Sequence, residues 1–272
     1  MPALILTYHS INIGGNDYCN NDHVALASDL PMLSDLGWTV VPLTTMVEAL
    51  RQRRLDAANK WVALTFDDGS WFDWYDLDHP SHGPQPGMAT ILRQFALSAA
   101  GRSQPTLQAT AFVIASPQAR AELDRSCLVG RGWWSDEWWP LAQREGLLRI
   151  QNHSWDHNHS TLSATAVAGE KGKFSVLSTY EQADAEIRQA ADYLDGLCGS
   201  GTSSVFSYPY GESSEYLRRE YFPRHLAEHR LAAAVTTEPQ RLSNDTDPWL
   251  IPRFVCGWHW QSADELRQIL LA

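Results

Sequence analysis

The chain has 272 residues, 44% of them hydrophobic and 19% charged, enough for a sizeable core and inconsistent with a disordered chain. Its formal net charge of −11 argues against nucleic acid or an anionic membrane surface as a partner. Four scattered cysteines without a CxxC pair indicate neither a cysteine zinc site nor a disulfide framework, and suit a reducing compartment.

The N-terminal run Met1-Pro2-Ala3-Leu4-Ile5-Leu6 has no basic segment before it and is too short to span a membrane. It reads as a strand, and the expectation is a cytoplasmic protein without signal peptide or membrane span. From there, short apolar runs alternate with amphipathic segments. Strands are expected at Ala3–Tyr8, Thr39–Pro42, Val62–Phe66, Ala109–Ile114, Leu148–Asn152, Val205–Tyr208, Ala232–Thr236 and Leu250–Val255. The first helices are expected at Val24–Leu36, at Thr45–Leu55 with Thr44 or Thr45 as its cap, and at Met88–Leu97. A short one follows from Pro117 to near Leu123, capped by Ser116. The remaining patterns are Asp136–Glu145, Tyr180–Leu197 ending at Gly199, Glu212–His229 interrupted near Pro223, and Ala263–Leu271. This alternation predicts one domain over residues 1–272, an α/β fold with a parallel, barrel-like sheet. Two stretches, Ser70–Gly87 and Ser160–Ser178, read as long loops at C-terminal strand ends, the face where parallel barrels place their sites.

The chemistry concentrates at those ends. Thr65-Phe66-Asp67-Asp68-Gly69 places two carboxylates directly after an apolar strand. Asp-Gly is also a common turn, but a buried like-charged pair is costly unless a cation offsets it. His153-Ser154-Trp155-Asp156-His157 follows another apolar run, and its histidines can share an ion if the segment makes a helical turn. His159 is a further candidate. One carboxylate and two histidines make a three-ligand site with an open position, and the second carboxylate stands beside it as a base. Zinc is the default for such ligation, with cobalt, nickel or iron as alternatives. Phe206-Ser207-Tyr208-Pro209-Tyr210-Gly211 is a third strand end whose turn can offer a backbone N–H to an oxyanion. Tyr8-His9 ends the first strand on the same face. Arg253, a lone charge in the last apolar strand, needs a buried partner, and Asp67 is the one expected. Of the twelve tryptophans most read as core; Trp71 and Trp74, with Tyr75, lie beside the carboxylate strand and are either substrate contacts or a packed flap. The acidic residues of that loop, Asp73, Asp76 and Asp78, suit a neutral or cationic ligand.

The set TFDDG, HSWDH and SYPYG resembles the carbohydrate esterase family 4 polysaccharide deacetylases, the NodB-homology domain, over Leu4 to about Phe254. The resemblance implies a distorted (β/α) barrel of seven to eight mostly parallel strands and metal-dependent hydrolysis of an N-acetyl or other N-acyl group. It assigns Asp67 as base, Asp68, His153 and His157 as metal ligands, and the Tyr210 N–H as oxyanion donor. Two positions depart from the family pattern. Ser207 stands where the third motif carries an arginine, and Arg253 is the expected replacement. The C-terminal Leu-x-His is missing; the tail reads Gly257-Trp258-His259-Trp260. Leu6-Thr7-Tyr8-His9, however, is similar to the start of the permuted poly-N-acetylglucosamine deacetylase branch, which implies His9 as general acid with His259 in reserve. The implied partner is an N-acylated amino sugar or oligosaccharide, an intracellular small or carrier-linked one being favoured over an extracellular polymer. The competing readings are a non-catalytic carbohydrate-binding protein of the same fold and a two-histidine-one-carboxylate iron oxygenase, which usually occupies an all-β jelly roll.

Overall fold

A computed structural model of the chain describes residues 3–56 and 58–272; Met1 and Pro2, which begin the N-terminal run, lie outside them. In chain order the strands are β1 (Ala3–His9), β2 (Thr39–Val40), β3 (Trp61–Asp67), β4 (Leu77–His79), β5 (Gly83–Gln85), β6 (Ala109–Val113), β7 (Leu148–Asn152), β8 (Val205–Ser207), β9 (Ala233–Val235) and β10 (Phe254–Val255). All but β4 and β5 form one curled parallel sheet in the order β10-β1-β3-β6-β7-β8-β9, with β2 pairing to the start of β3. The last segment links the two edges: Ile251 bridges to Val235 of β9, and Phe254–Val255 pair with β1. The result is the distorted α/β barrel expected from the sequence.

Buried on both faces, the central strands are almost continuously apolar. The pleat sorts them. Leu4, Leu6, Tyr8, Val62, Leu64, Phe66, Ala111 and Ile150 face the helices. Ala3, Ile5, Ala63, Phe112, Val205, Val235 and Ile251 fill the interior. Helix caps follow the sequence in several places: Ser116 accepts from Ala119 N–H with Pro117 in the first turn, and Ser262 accepts from Glu265 N–H.

The differences have local causes. Leu250–Val255 is not one strand, because Pro252 has no N–H to continue a ladder and the segment changes partner across it. The second strand stops at Val40; its helix is Leu43–Arg51, starts from Pro42 and has no side-chain cap, so neither Thr44 nor Thr45 serves. The helix expected from Asp136 begins at Trp139, since Asp136 is drawn instead to Arg120 and Tyr193, each at 2.6 Å. Tyr180–Cys198 is helical but contains a π-turn at Asp184–Arg188. Glu212–His229 is shorter and broken, with a π-turn at Leu217–Tyr221 followed by Phe222–Arg224 and Leu226–His229. Ser70–Gly87 holds a short 3-10 turn and the antiparallel β4–β5 hairpin. No helix among the described residues is long and apolar enough to cross a membrane. The parallel α/β sheet is not the all-β jelly roll that an iron oxygenase would usually need.

Candidate active site

Strand alternation delivers the polar residues to the C-terminal mouth of the barrel. On β3, Ala63, Thr65 and Asp67 share the interior face; on β1, Thr7 and His9 do, with His9 in register beside Asp67. Thr7 Oγ1 and Thr65 Oγ1 lie 2.9 Å apart, forming a polar layer just below the site. Ser207 occupies the same face at the end of β8, and Arg253 lies two residues beyond interior Ile251.

Asp67 is held by three donors. Arg253 Nη1 and Nη2 donate to Oδ1 and Oδ2, both at 2.8 Å, and Ser207 Oγ donates to Oδ2 at 3.2 Å. Arg253 also bonds Ser207 Oγ at 2.9 Å and Thr65 Oγ1 at 3.2 Å, and it is fully buried. Burial would raise the Asp67 pKa; Arg253 foremost, with His153, brings it down to about 2. The partner expected for Arg253 is therefore the one it has, and the Ser207 hydroxyl bridges the pair.

Asp68 turns the other way. Its φ of +78° reverses the chain, followed by Gly69 at +77°, where an added Cβ would lie 2.5 Å from Val113 Cγ1. Asp68 Oδ1 lies 3.5 Å from His153 Nε2 and 3.9 Å from His157 Nε2, and one ligand atom from each of the three residues lies within 4.8 Å of the others. Two ligands on one tetrahedral zinc are about 3.4 Å apart, so these separations fit a shared ion better than direct hydrogen bonds. His153 Nδ1 faces the Ser207 carbonyl at 2.9 Å, which places the proton there and leaves the Nε2 lone pair toward Asp68. Burial, reinforced by His153, lowers the His157 pKa to about 3 and keeps that ring neutral, as a ligand must be. Burial would also depress the His153 pKa, but Asp67 and Asp68 hold it above its ordinary value. Unlike the helical turn expected from the HxxxH spacing, residues 153–158 form a non-helical turn with Ser154 at φ 69°, His157 at 66° and Asn158 at 41°. His159 is not in the ligand group; its Nδ1 is engaged by Thr161, 3.0 Å from Oγ1.

These residues line a cavity of about 280 Å³, small for a ligand pocket. His9 lines it too, its Nδ1 buried without a hydrogen-bond partner, while its backbone N–H donates to Asp22 Oδ2 at 2.7 Å. His259 does not line it, and its Nδ1 accepts from Val255 N–H at 2.8 Å. Tyr210 sits on the rim at φ 59° in a 3-10 turn, its ring edge-on to His157. Trp71, Trp74 and Tyr75 are not in the lining and pack against the core: Trp71 Nε1 donates to Ser135 Oγ, and Trp74 stacks on Trp138. They form a packed flap beside the cavity. The tryptophans that do line the cavity are Trp134, whose Nε1 donates to the Asp68 carbonyl at 3.0 Å, and Trp258. Neither stands out in the sequence, although Trp258 lies within the tail Gly257-Trp258-His259-Trp260.

Part of the chain resembles a known family: residues 103–222 match the family model described as "Polysaccharide deacetylase", a span containing His153, His157, Ser207 and Tyr210. No curated protein matches the sequence. Solved structures share its fold at low identity. A Bacillus anthracis polysaccharide deacetylase is 16% identical with a TM-score of 0.60, covering 94% of this chain, which spans 65% of its length. The Streptococcus pyogenes deacetylase PplD, solved in complex with acetate, is 17% identical with a TM-score of 0.65, covering 99% of this chain and 98% of its own. IcaB from Ammonifex degensii is 18% identical with a TM-score of 0.63, covering 99% and 96%.

Proposed function

We propose that the protein is a metal-dependent hydrolase that removes the N-acetyl, or a comparable N-acyl, group from an amino sugar or oligosaccharide. What supports this most is the division of the adjacent carboxylates: Asp67 is ionised and clamped by Arg253, while Asp68 faces two neutral-capable imidazoles. In this reading Asp68, His153 and His157 hold the metal, zinc by the chemistry of the donor set. A bound divalent metal supplies Lewis acidity and lowers the pKa of its water from ~15.7 toward ~7.

The chain's own residues do the rest. Asp67 takes the proton of the attacking water; Arg253 and Ser207 keep its carboxylate ionised and fixed in orientation. The Tyr210 N–H, on its left-handed turn, donates to the developing oxyanion, a contribution of about 3 kcal/mol for a well-placed donor. His9, in register beside Asp67, protonates the leaving amine. Trp134 and Trp258 offer apolar faces to the acyl group and the sugar. The fold and family match that of proteins named as deacetylases, including one solved with acetate, which supports an acetyl-releasing reaction. The test is acetate release from N-acetylglucosamine oligomers by zinc-loaded protein. Release abolished by a chelator and restored by zinc is the expected result; no release from any acetylated sugar or acetylated chromogenic substrate would reject the reading.

A further inference from the structure

The turn that carries both histidines is strained, and its support comes from a distant helix. Ser154, His157 and Asn158 are non-glycine residues in the left-handed region, which a side chain disfavours, and such a turn persists only where its surroundings fix it. The helix Tyr180–Cys198 supplies the fixing through its π-turn at Asp184–Arg188. π-Turns break the regular ladder and recur at functional sites. Here the Ile187 carbonyl accepts from Asn152 Nδ2 at 3.0 Å, and Glu186 enters the space beneath residues 154–156 with no exposed surface.

Glu186 makes three connections there. Its Oε2 accepts from Asp156 N–H at 3.3 Å. The Ser154 hydroxyl interacts with the same carboxyl group, while Ser154 Oγ accepts from His157 N–H at 2.8 Å. Its carboxyl also meets that of Asp156. Asp156 acts as an acceptor, taking Asn158 N–H at 2.9 Å and Ala166 N–H at 2.5 Å. Glu186 Oε1 is buried without a hydrogen-bond partner among the described residues, which makes the carboxyl costly to place there. A buried, unexposed acid with no role in the chemistry is otherwise an expensive residue to place in a core.

We infer that Glu186 is a positioning residue: through Ser154 and Asp156 it holds the 153–158 turn in the shape that brings His153 and His157 to one ion. This rests on the reading of those histidines as metal ligands. Residues that orient ligands from behind typically change metal affinity by about 10- to 100-fold.

The experiment is zinc affinity by competition with a chromophoric chelator, together with the visible spectrum of the cobalt-substituted protein. It compares wild type, Glu186→Gln, Glu186→Leu, Ser154→Ala and, as a control, His153→Ala. The glutamine amide can donate to Asp156 and accept from its N–H, so Glu186→Gln should stay within a few-fold of wild type and keep its cobalt spectrum. Glu186→Leu should bind zinc about 10- to 100-fold more weakly with an altered spectrum. If Glu186→Leu does not fold, Ser154→Ala, which removes only the relay to His157, should still weaken zinc binding with its melting temperature retained. Wild-type affinity in Glu186→Leu or in Ser154→Ala would overturn the inference, as would a loss in Glu186→Gln as large as in Glu186→Leu. Zinc binding by wild type that His153→Ala leaves unchanged would instead overturn the ligand assignment on which it rests.

Discussion

Arg253 and Asp67 form a bidentate ion pair inside the barrel, two parallel bonds of 2.8 Å between residues 186 positions apart. Neither is exposed to solvent beyond a trace. Truncating one member of such a pair strands the other charge, so Arg253→Met should destabilise the fold by about 3–5 kcal/mol. The sign with pH is fixed by the direction of the shift. The folded Asp67 pKa, near 2, lies below its ordinary carboxylate value, so its stabilising contribution is present above about pH 4 and is lost as pH falls toward 2. In Arg253→Met that acid-side loss should shrink, and the acid limb of the pH–rate profile should move to higher pH. Urea unfolding at pH 3 and pH 6, with rate profiles of both proteins, checks this.

That ion pair was legible in the sequence because an arginine in an otherwise apolar strand has few affordable partners. The central strands were legible too, since β1, β3, β6 and β7 are buried on both faces and read as unbroken apolar runs. Other features were not. The turn at His153–Asn158 looked helical by spacing, but its left-handed residues are set by Glu186 and Asp156, one of them 30 positions away. Pro252 concealed a change of strand partner. Aromatic content alone could not separate Trp71 and Trp74, which are packed, from Trp258, which is 67% exposed.

The exposed Trp258 is held flat rather than loose: its ring stacks on His259 at 5.0 Å and 14°, and His259 is pinned by Val255 N–H. An aromatic face beside a small cavity suits the C–H face of a sugar ring. Trp258→Ala should lower kcat/KM on an N-acetylated oligosaccharide by about 10-fold, roughly the value of one aromatic contact. Its melting temperature should hardly change, as expected for an exposed site. Equal rates for both proteins would remove Trp258 from substrate contact.

His9 and His259 make different predictions as the general acid. Only His9 lines the cavity. His9→Ala should lose the alkaline limb of the pH–rate profile, whereas His259→Ala should retain it. The opposite pattern would return the role to the tail.

Asp29 gives a pH effect away from the site. It accepts from Tyr8 Oη at 2.9 Å and Tyr18 Oη at 2.6 Å, and burial raises its pKa to about 7 against the opposing hydroxyl donors. A raised carboxyl pKa means the folded state holds its proton longer than the unfolded chain. Stability therefore falls as pH rises from about 4 to 7 and levels off above. Asp29→Asn should lose roughly 2–3 kcal/mol less than wild type between pH 5 and pH 8, by denaturant unfolding. Parallel slopes in the two proteins would contradict the shift.

The most direct test of the account is one paired measurement on Asp67→Asn: zinc content per chain and acetate release from an N-acetylated amino-sugar oligomer. One zinc bound, as in wild type, with turnover reduced at least 100-fold, the lower range for a lost general base, is the expected result. Zinc retained with wild-type turnover would contradict it, because Asp67 would then not be the base that the neighbouring site requires.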